Sequence, residues 1–187
     1  MDRRLLLAAV AVILFSSAAP AAETASSRDY RAADRYYASG KYQEALTLYK
    51  KTLSFPPDKL TPGDINNKIG DTYFRLADYG HALEAYRKAV RDQRLSDRPQ
   101  TQYWIGFCCF LVGRDAEAVD ELLKVPALYP DAAAWGTTSY YWAGRASERM
   151  GKKEQAAEYY RKAGGGGRST QSKFAQKKSE AVKNNGR

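Results

Sequence analysis

One short phrase recurs four times along this 187-residue chain, at intervals of 36 to 38 residues. The copies read GKYQEALTLYKKTL, ADYGHALEAYRKAV, GRDAEAVDELLKVP and GKKEQAAEYYRKAG, and they begin at residues 40, 77, 113 and 151. Each copy carries an alanine at the same place: Ala45, Ala82, Ala118 and Ala156. Such a repeat fixes the class of fold, because one unit cannot bury its own apolar face and must stack on the next unit.

The residues around each alanine predict a pair of antiparallel helices per unit. Twelve positions before it stand small residues, namely Ala33, Gly70, Gly106 and Gly144, and five positions before it stand Gly40, Ala77, Gly113 and Gly151. A glycine at the end of an amphipathic stretch stops a helix, and a second stretch of helical period begins within about three residues. Four positions after the alanine stand Tyr49, Tyr86, Leu122 and Tyr160. We expect the small residues to allow close helix contact and the large ones to fill the space between neighbouring pairs.

Prolines and caps mark the ends of the units. Thr61, Pro62 and Asp64 form a capping sequence with proline at the first helical position. Pro99 is expected to open the third unit in the same way, and Pro57 and Pro130 are expected to close units one and three.

This pattern resembles the tetratricopeptide repeat, a helix-turn-helix unit. The resemblance implies an all-α solenoid of about four units, near residues 26–59, 63–96, 99–132 and 137–166, within an array that covers 22–166. The sequence departs from the family pattern at three positions where tryptophan is usual, Asp29, Asn66 and Gln102. Asp115 and Lys153 also replace an aromatic residue. Residues 167–187 are expected to form a basic hinge followed by a capping helix or tail.

In the family that the repeats resemble, ligand peptides lie in a concave groove lined by the first helix of each unit. The corresponding residues of this chain are Tyr30, Tyr37, Asn67, Asp71, Phe74, Arg75, Tyr103, Phe107, Phe110, Tyr141 and Arg145. The resemblance therefore implies an apolar or aromatic ligand segment, in extended or helical form. The alternative is that some of these aromatic residues pack between repeats or under the tail.

The N-terminal residues have the pattern of an export signal. Arg3 and Arg4 precede an apolar run from Leu5 to Phe15, and small residues follow as far as Ala21. The run is shorter than the roughly 20 residues that span a bilayer. We predict a signal peptide over 1–21, with cleavage after Ala22 as the second choice and an uncleaved anchor as the alternative. Cleavage would leave a soluble exported protein, periplasmic or associated with the cell envelope.

The formal charge of +9 is concentrated at the C-terminus, where residues 168–187 contain six basic residues and one acidic residue. The body therefore lacks the concentrated basic stripe of a nucleic-acid-binding protein, and no nucleic acid partner is expected. Phe174, Ala181 and Val182 predict a narrow apolar stripe by which a capping helix covers the last repeat. The alternative function of this tail is contact with anionic lipid or cell-wall polymer.

The sequence offers little for catalysis. Cys108 and Cys109 are neighbours on a predicted helix, where side chains diverge by about 100°, so core packing is favoured over a disulfide or a metal site. His81, the single histidine, is expected at the surface. The glycines after Lys162 do not fit the phosphate-loop pattern. We therefore predict no enzyme activity, no cofactor and no metal.

Two segments suggest where such a chain acts. Residues 102–131 resemble repeats of periplasmic proteins that coordinate outer-membrane constriction or barrel assembly, and residues 139–163 are similar to the helical part of soluble lytic transglycosylases. The prediction is a non-catalytic adaptor of the bacterial cell envelope that binds a partner segment in the groove. Two alternatives remain: a peptidoglycan or anionic-surface binding protein that uses the basic tail, and an accessory subunit of a cell-wall enzyme.

Overall fold

The computed structural model describes residues 24–165 and 170–184, and these residues form an all-α array of paired helices. The helices are α1 (Ala25–Ala38), α2 (Tyr42–Leu53), α3 (Pro62–Arg75), α4 (Tyr79–Val90), α5 (Arg98–Leu111), α6 (Asp115–Leu128), α7 (Ala133–Arg149), α8 (Lys153–Gly164) and α9 (Thr170–Asn184). Each helix packs on the next one along the chain, and α5 also contacts α7 directly. The predicted helix pairs and the all-α solenoid are confirmed.

The same turn joins the two helices of every unit. Gly40, Gly113 and Gly151 have positive φ values of 77°, 81° and 75°, and Ala77 occupies the fourth such turn with φ 58°. In the second unit the Ala77 amide donates to the Phe74 carbonyl, and the Asp78 amide donates to the Tyr73 carbonyl. These are the two bonds of the Schellman motif, which needs a left-handed residue after the helix. The predicted glycine stops are therefore confirmed, and alanine performs the same role once.

The small residues of the first helices do allow close helix contact. A Cβ atom on Gly70 would lie 2.6 Å from the ring of Tyr86, and one on Gly144 would lie 2.7 Å from the ring of Tyr160. Both rings are buried. Each ring lies against the glycine of its own pair. Tyr86 also stacks on Trp104 of the next unit.

A hydrogen bond fixes this tyrosine in three of the four units. Each hydroxyl donates to a carboxylate on the first helix of the same pair: Tyr49 to Asp34 at 2.5 Å, Tyr86 to Asp71 at 2.8 Å and Tyr160 to Glu148 at 2.7 Å. Leu122 takes this position in the third unit and is also fully buried. The third pair is therefore joined at this point by apolar packing.

The predicted starts of α3 and α5 lie within one residue of their expected places, whereas α7 begins at Ala133, four residues before the expected start of unit four. Thr61 and Asp64 form a capping box at the start of α3, with Pro62 as the first helical residue. Asp97 caps α5, and Pro99 is the second residue of that helix. A capping side chain satisfies backbone amides that have no partner inside the helix, so these residues set where each unit begins.

The C-terminal helix α9 packs on α8, but not through the predicted stripe. Its buried residues are Ser172, Ala175, Ser179 and Val182. Phe174 is 59% exposed and Ala181 is exposed, so only Val182 of the predicted stripe is buried. Small side chains allow α9 to approach closely, and the Ser179 hydroxyl donates to the Ala157 carbonyl at 3.2 Å. The phenylalanine ring is too large for this contact and lies on the outer side.

The predicted signal peptide over 1–21 lies outside the described residues, as do residues 167–169 at the start of the predicted hinge and tail. Within 24–165 and 170–184, none of the helices combines the length and the apolar character needed to cross a bilayer.

Candidate functional site

A cleft of about 310 Å³ lies between the first helices of units one, two and three. We call it the Phe74 cleft. Its lining residues are Tyr37, Asp71, Phe74, Arg75, Tyr86, Gln100 and Trp104. Four of them, Tyr37, Asp71, Phe74 and Arg75, belong to the predicted groove. The cleft exists because α1, α3 and α5 follow one another across three stacked units.

Polar groups of opposite charge stand at the rim of this cleft. Arg75 is exposed, and its Nε donates to the Tyr37 hydroxyl at 3.2 Å, which raises the pKa of the guanidinium. One turn earlier on α3, Asp71 accepts the Tyr86 hydroxyl hydrogen bond. Burial raises the pKa of Asp71, although this hydrogen bond opposes the effect. Arg75 is thus the charged group of the cleft that remains most accessible to a ligand.

The apolar wall of the Phe74 cleft continues into a cluster of aromatic rings. The Phe74 ring centroid lies 4.8 Å from that of Trp104 and 6.1 Å from that of Phe107. Phe107 in turn lies 4.5 Å from Trp142 on α7. The surface formed by the first helices of the units is therefore lined by aromatic rings from unit two to unit four.

Two predicted groove residues belong to the core instead. Tyr103 is 6% exposed and Phe110 is 8% exposed, while Phe107 is partly buried. Tyr103 packs against Trp135, and Phe110 packs against Trp142, both from the fourth unit. The alternative that some aromatic residues pack between repeats thus holds for Tyr103 and Phe110, which offer a ligand little surface.

The three tryptophans were not among the groove residues predicted from the sequence. All three belong to this aromatic cluster, at Trp104, Trp135 and Trp142. Trp104 and Trp142 stand 38 residues apart, which is one repeat, so their shared register could have identified them. The Nε1 atom of Trp104 is buried and has no acceptor among the described residues.

The remaining groove residues lie apart from the Phe74 cleft. Tyr30 and Asn67 line a second cleft of about 420 Å³. Asn67 is engaged there, because its side-chain oxygen accepts a hydrogen bond from Thr101 at 2.8 Å. On α7, Tyr141 packs against Tyr160, and the Arg145 guanidinium lies 5.6 Å from the ring of Trp142. The predicted residues thus do not form one groove: Tyr103 and Phe110 are buried in the core, and the Phe74 cleft contains four of the remaining nine.

The two thiols are buried in the core, as predicted from the sequence. Cys108 and Cys109 are fully buried and unpaired. Burial raises the pKa of each thiol to about 12. His81 is exposed, as expected, and its Nδ1 lies 2.7 Å from Asp78. Among the described residues, no three His, Cys, Asp or Glu side chains converge to hold a metal.

Comparison with known protein families identifies the repeats. One tetratricopeptide repeat model matches residues 67–133, and another matches residues 137–163. The chain belongs to the tetratricopeptide repeat family. These matches cover units two to four, and the first helix pair has the same turn and the same buried tyrosine.

Curated relatives of this tetratricopeptide repeat protein are much longer than the chain. The human protein O-mannosyl-transferase TMTC2 is 30% identical over 101 residues, which cover 54% of this chain and 12% of the human protein. The mouse protein of the same name is 28% identical over 64 residues, which cover 34% of this chain and 8% of that protein. The chain thus spans about an eighth of the human relative.

Solved structures share the fold at low sequence identity. A MamA crystal structure has a TM-score of 0.60 at 23% identity and covers 82% of this chain and 95% of that chain. YrrB, described as a tetratricopeptide repeat protein with an unusual peptide-binding site, has a TM-score of 0.65 at 22% identity, covering 86% and 75%. A tetratricopeptide repeat protein from Parabacteroides merdae has a TM-score of 0.72 at 12% identity, covering 86% and 60%. At these identities the comparison shows the fold.

Proposed function

We propose that this protein is a non-catalytic adaptor that binds a segment of a partner protein in the Phe74 cleft. The observation that carries the proposal is the composition of the cleft, which joins residues of three successive units in one concave site. A site built by stacked repeats exists only when the array is folded, so ligand binding and array geometry are coupled.

The lining residues suggest the chemistry of the partner segment. An apolar or aromatic side chain would lie against Phe74 and Trp104, where aromatic rings contribute large contact areas. A carbonyl or carboxylate oxygen next to that side chain would accept hydrogen bonds from Arg75. Within the described residues, the hydrogen bond from Arg75 to Tyr37 uses only Nε. The description of YrrB as a peptide-binding protein supports a peptide ligand for a related fold.

The chemistry of the thiols supports a binding role. With a pKa of about 12, Cys108 and Cys109 are protonated near neutral pH, and the thiolate is the nucleophilic form. Both side chains are also fully buried in the core. The two cysteines, whose thiolates would be the strongest nucleophiles of the chain, are therefore withheld from solvent.

We further propose that the adaptor acts in the bacterial cell envelope after export. The support is the sequence of residues 1–21, with two arginines, an apolar run and small residues at its end. The partner would then be another envelope protein. N-terminal sequencing of protein recovered from the envelope tests this part, and a mature chain that still starts at Met1 would refute cleavage.

The binding proposal is tested with a displayed library of random peptides, selected on the wild-type protein. Arg75→Glu reverses the exposed charge of the cleft, and Arg91→Glu makes the same change at an exposed site on the C-terminal end of α4. Phe74→Leu reduces the aromatic wall, and Phe55→Ala removes a ring that is 78% exposed elsewhere. Circular dichroism and urea unfolding establish that each variant is folded.

We expect the selected peptides to share an apolar or aromatic residue beside an acidic residue. Their affinity should fall at least about tenfold for Arg75→Glu, as for loss of a charge-assisted hydrogen bond. It should be unchanged for Arg91→Glu and Phe55→Ala. Equal binding to Arg75→Glu and to the wild type would overturn the assignment of the cleft. Peptides with the expected motif would then identify candidate partners in an envelope extract.

A further inference from the structure

The outer face of α9 combines an exposed aromatic ring with free positive charge. Opposite the buried residues of this helix lie Lys173, Phe174, Lys177, Glu180 and Ala181, all exposed. Positions three and four residues apart share a side of a helix, so Phe174 stands beside Lys177. This arrangement differs from that of a plain capping helix, whose outer face is polar throughout.

The phenylalanine on this face is not used to hold the array together. Phe174 is 59% exposed, whereas the cap is attached through Ala175 and Val182, which are 0% and 8% exposed. An exposed phenylalanine loses the stabilisation that burial of its ring would give. Its side chain is therefore available to a second apolar environment outside the molecule.

The lysines on this face are also unengaged within the described residues. Lys178, on the side of α9 that faces the array, pairs with Glu148 at 3.0 Å. No acidic side chain of the described residues forms an ion pair with Lys173 or Lys177. The sequence around them is basic, since 168–187 holds six basic residues against Glu180 alone. The face is therefore complementary to a negatively charged surface.

We propose that the outer face of α9 docks the protein on a bilayer that contains anionic phospholipid. In this arrangement the Phe174 ring enters the boundary between headgroups and acyl chains, and Lys173 and Lys177 contact lipid phosphates. A bilayer fits this face better than a soluble or wall-bound polyanion, because only the bilayer offers an apolar environment for the ring. Docking leaves the Phe74 cleft unoccupied, so this inference does not depend on the proposed peptide binding.

Vesicle sedimentation with the full chain tests the proposal. One set of vesicles contains phosphatidylglycerol and phosphatidylcholine, and the other contains phosphatidylcholine alone. The apolar run from Leu5 to Phe15 and the adjacent Arg3 and Arg4 are present in every variant, so the difference between each variant and the wild type reports the contribution of α9. Each lysine near an anionic surface contributes about fivefold in affinity.

The test variants are Phe174→Ala and the double change Lys173→Gln with Lys177→Gln. Their matched controls are Phe55→Ala, and Lys59→Gln with Lys88→Gln, which alter exposed residues of the same types elsewhere in the array. All four variants change exposed side chains and should remain folded. Sedimentation with purified peptidoglycan is measured in parallel.

We expect the double lysine change to reduce binding to anionic vesicles by about 25-fold, and Phe174→Ala to reduce it by about tenfold. The controls should bind like the wild type. Equal loss in the lysine control would show attraction by net charge alone and overturn the proposal. If Phe174→Ala has no effect and peptidoglycan binding depends on the same lysines, the ligand is a wall polymer and the bilayer proposal fails.

Discussion

Replacing Ala77 with glycine should stabilise the array, because this alanine occupies a backbone conformation that favours glycine. Ala77 has φ 58° in the turn between α3 and α4, where the other three units have glycine. The left-handed conformation costs a residue with a Cβ atom about 1–2 kcal/mol. Glycine loses more freedom on folding, which offsets about 0.4–1 kcal/mol of this gain. The net expectation is a rise of about 0.5–1 kcal/mol in the free energy of unfolding.

The third unit provides the reverse experiment. Gly113 has φ 81° in the same turn, and a Cβ atom placed on it would meet nothing within 4 Å. Gly113→Ala therefore tests the backbone conformation without a steric clash, and it should lower the free energy of unfolding by a similar amount. The paired variants thus separate backbone strain from packing.

Urea unfolding followed by far-ultraviolet circular dichroism measures both changes. The midpoint should rise for Ala77→Gly and fall for Gly113→Ala, with the slope of the transition unchanged. A change of 1 kcal/mol also corresponds to about 2–4 °C in melting temperature for a chain of this size. If Ala77→Gly lowers the midpoint, or if neither variant moves it, the turn does not carry the strain that its φ value implies.

Four further predictions address the core and the cap. Gly106→Ala should destabilise the protein by about 1–3 kcal/mol in urea unfolding, since the added methyl group would lie 2.6 Å from the facing leucine of α6. Cys108 and Cys109 should react with a thiol reagent only after unfolding, and rapid labelling of the native protein would contradict their burial. Their raised pKa values predict full stability below about pH 9, then a loss toward pH 12 as the unfolded chain releases its protons first. Ala175→Glu should release α9 and speed amide exchange over 170–184, whereas Phe174→Glu should leave that exchange unchanged.

The repeat pattern was sufficient to predict the fold, because the same physical requirements recur in each unit. A left-handed residue is needed at each turn, so Gly40, Gly113 and Gly151 locate three of the four helix ends. Close approach of the two helices requires a small residue, which explains Gly70 and Gly144. These requirements concern residues within one unit, so the sequence of that unit is enough to predict them.

The candidate site was only partly predictable, because exposure depends on the neighbouring units. Phe74 and Tyr103 both lie on first helices, yet Phe74 lines a cleft while Tyr103 is covered by Trp135 of the next unit. Hydrophobic periodicity shows which side of a helix is apolar, but it does not show how much of that side the next unit covers. The same limit explains Phe174, where close packing favoured Ala175 and left the larger ring outside.

The apolar interior of this protein is divided, and the division passes through the Phe74 cleft. Ala85 packs with residues of units one and two, while Tyr86, the next residue on α4, packs with a cluster that runs through units two to four. Tyr37 contacts the first cluster and Trp104 the second, so the two walls of the cleft belong to different clusters of packed side chains. Tyr73 on α3 contacts both clusters and joins them. A ligand that contacts both Tyr37 and Trp104 would add a further connection between the two clusters.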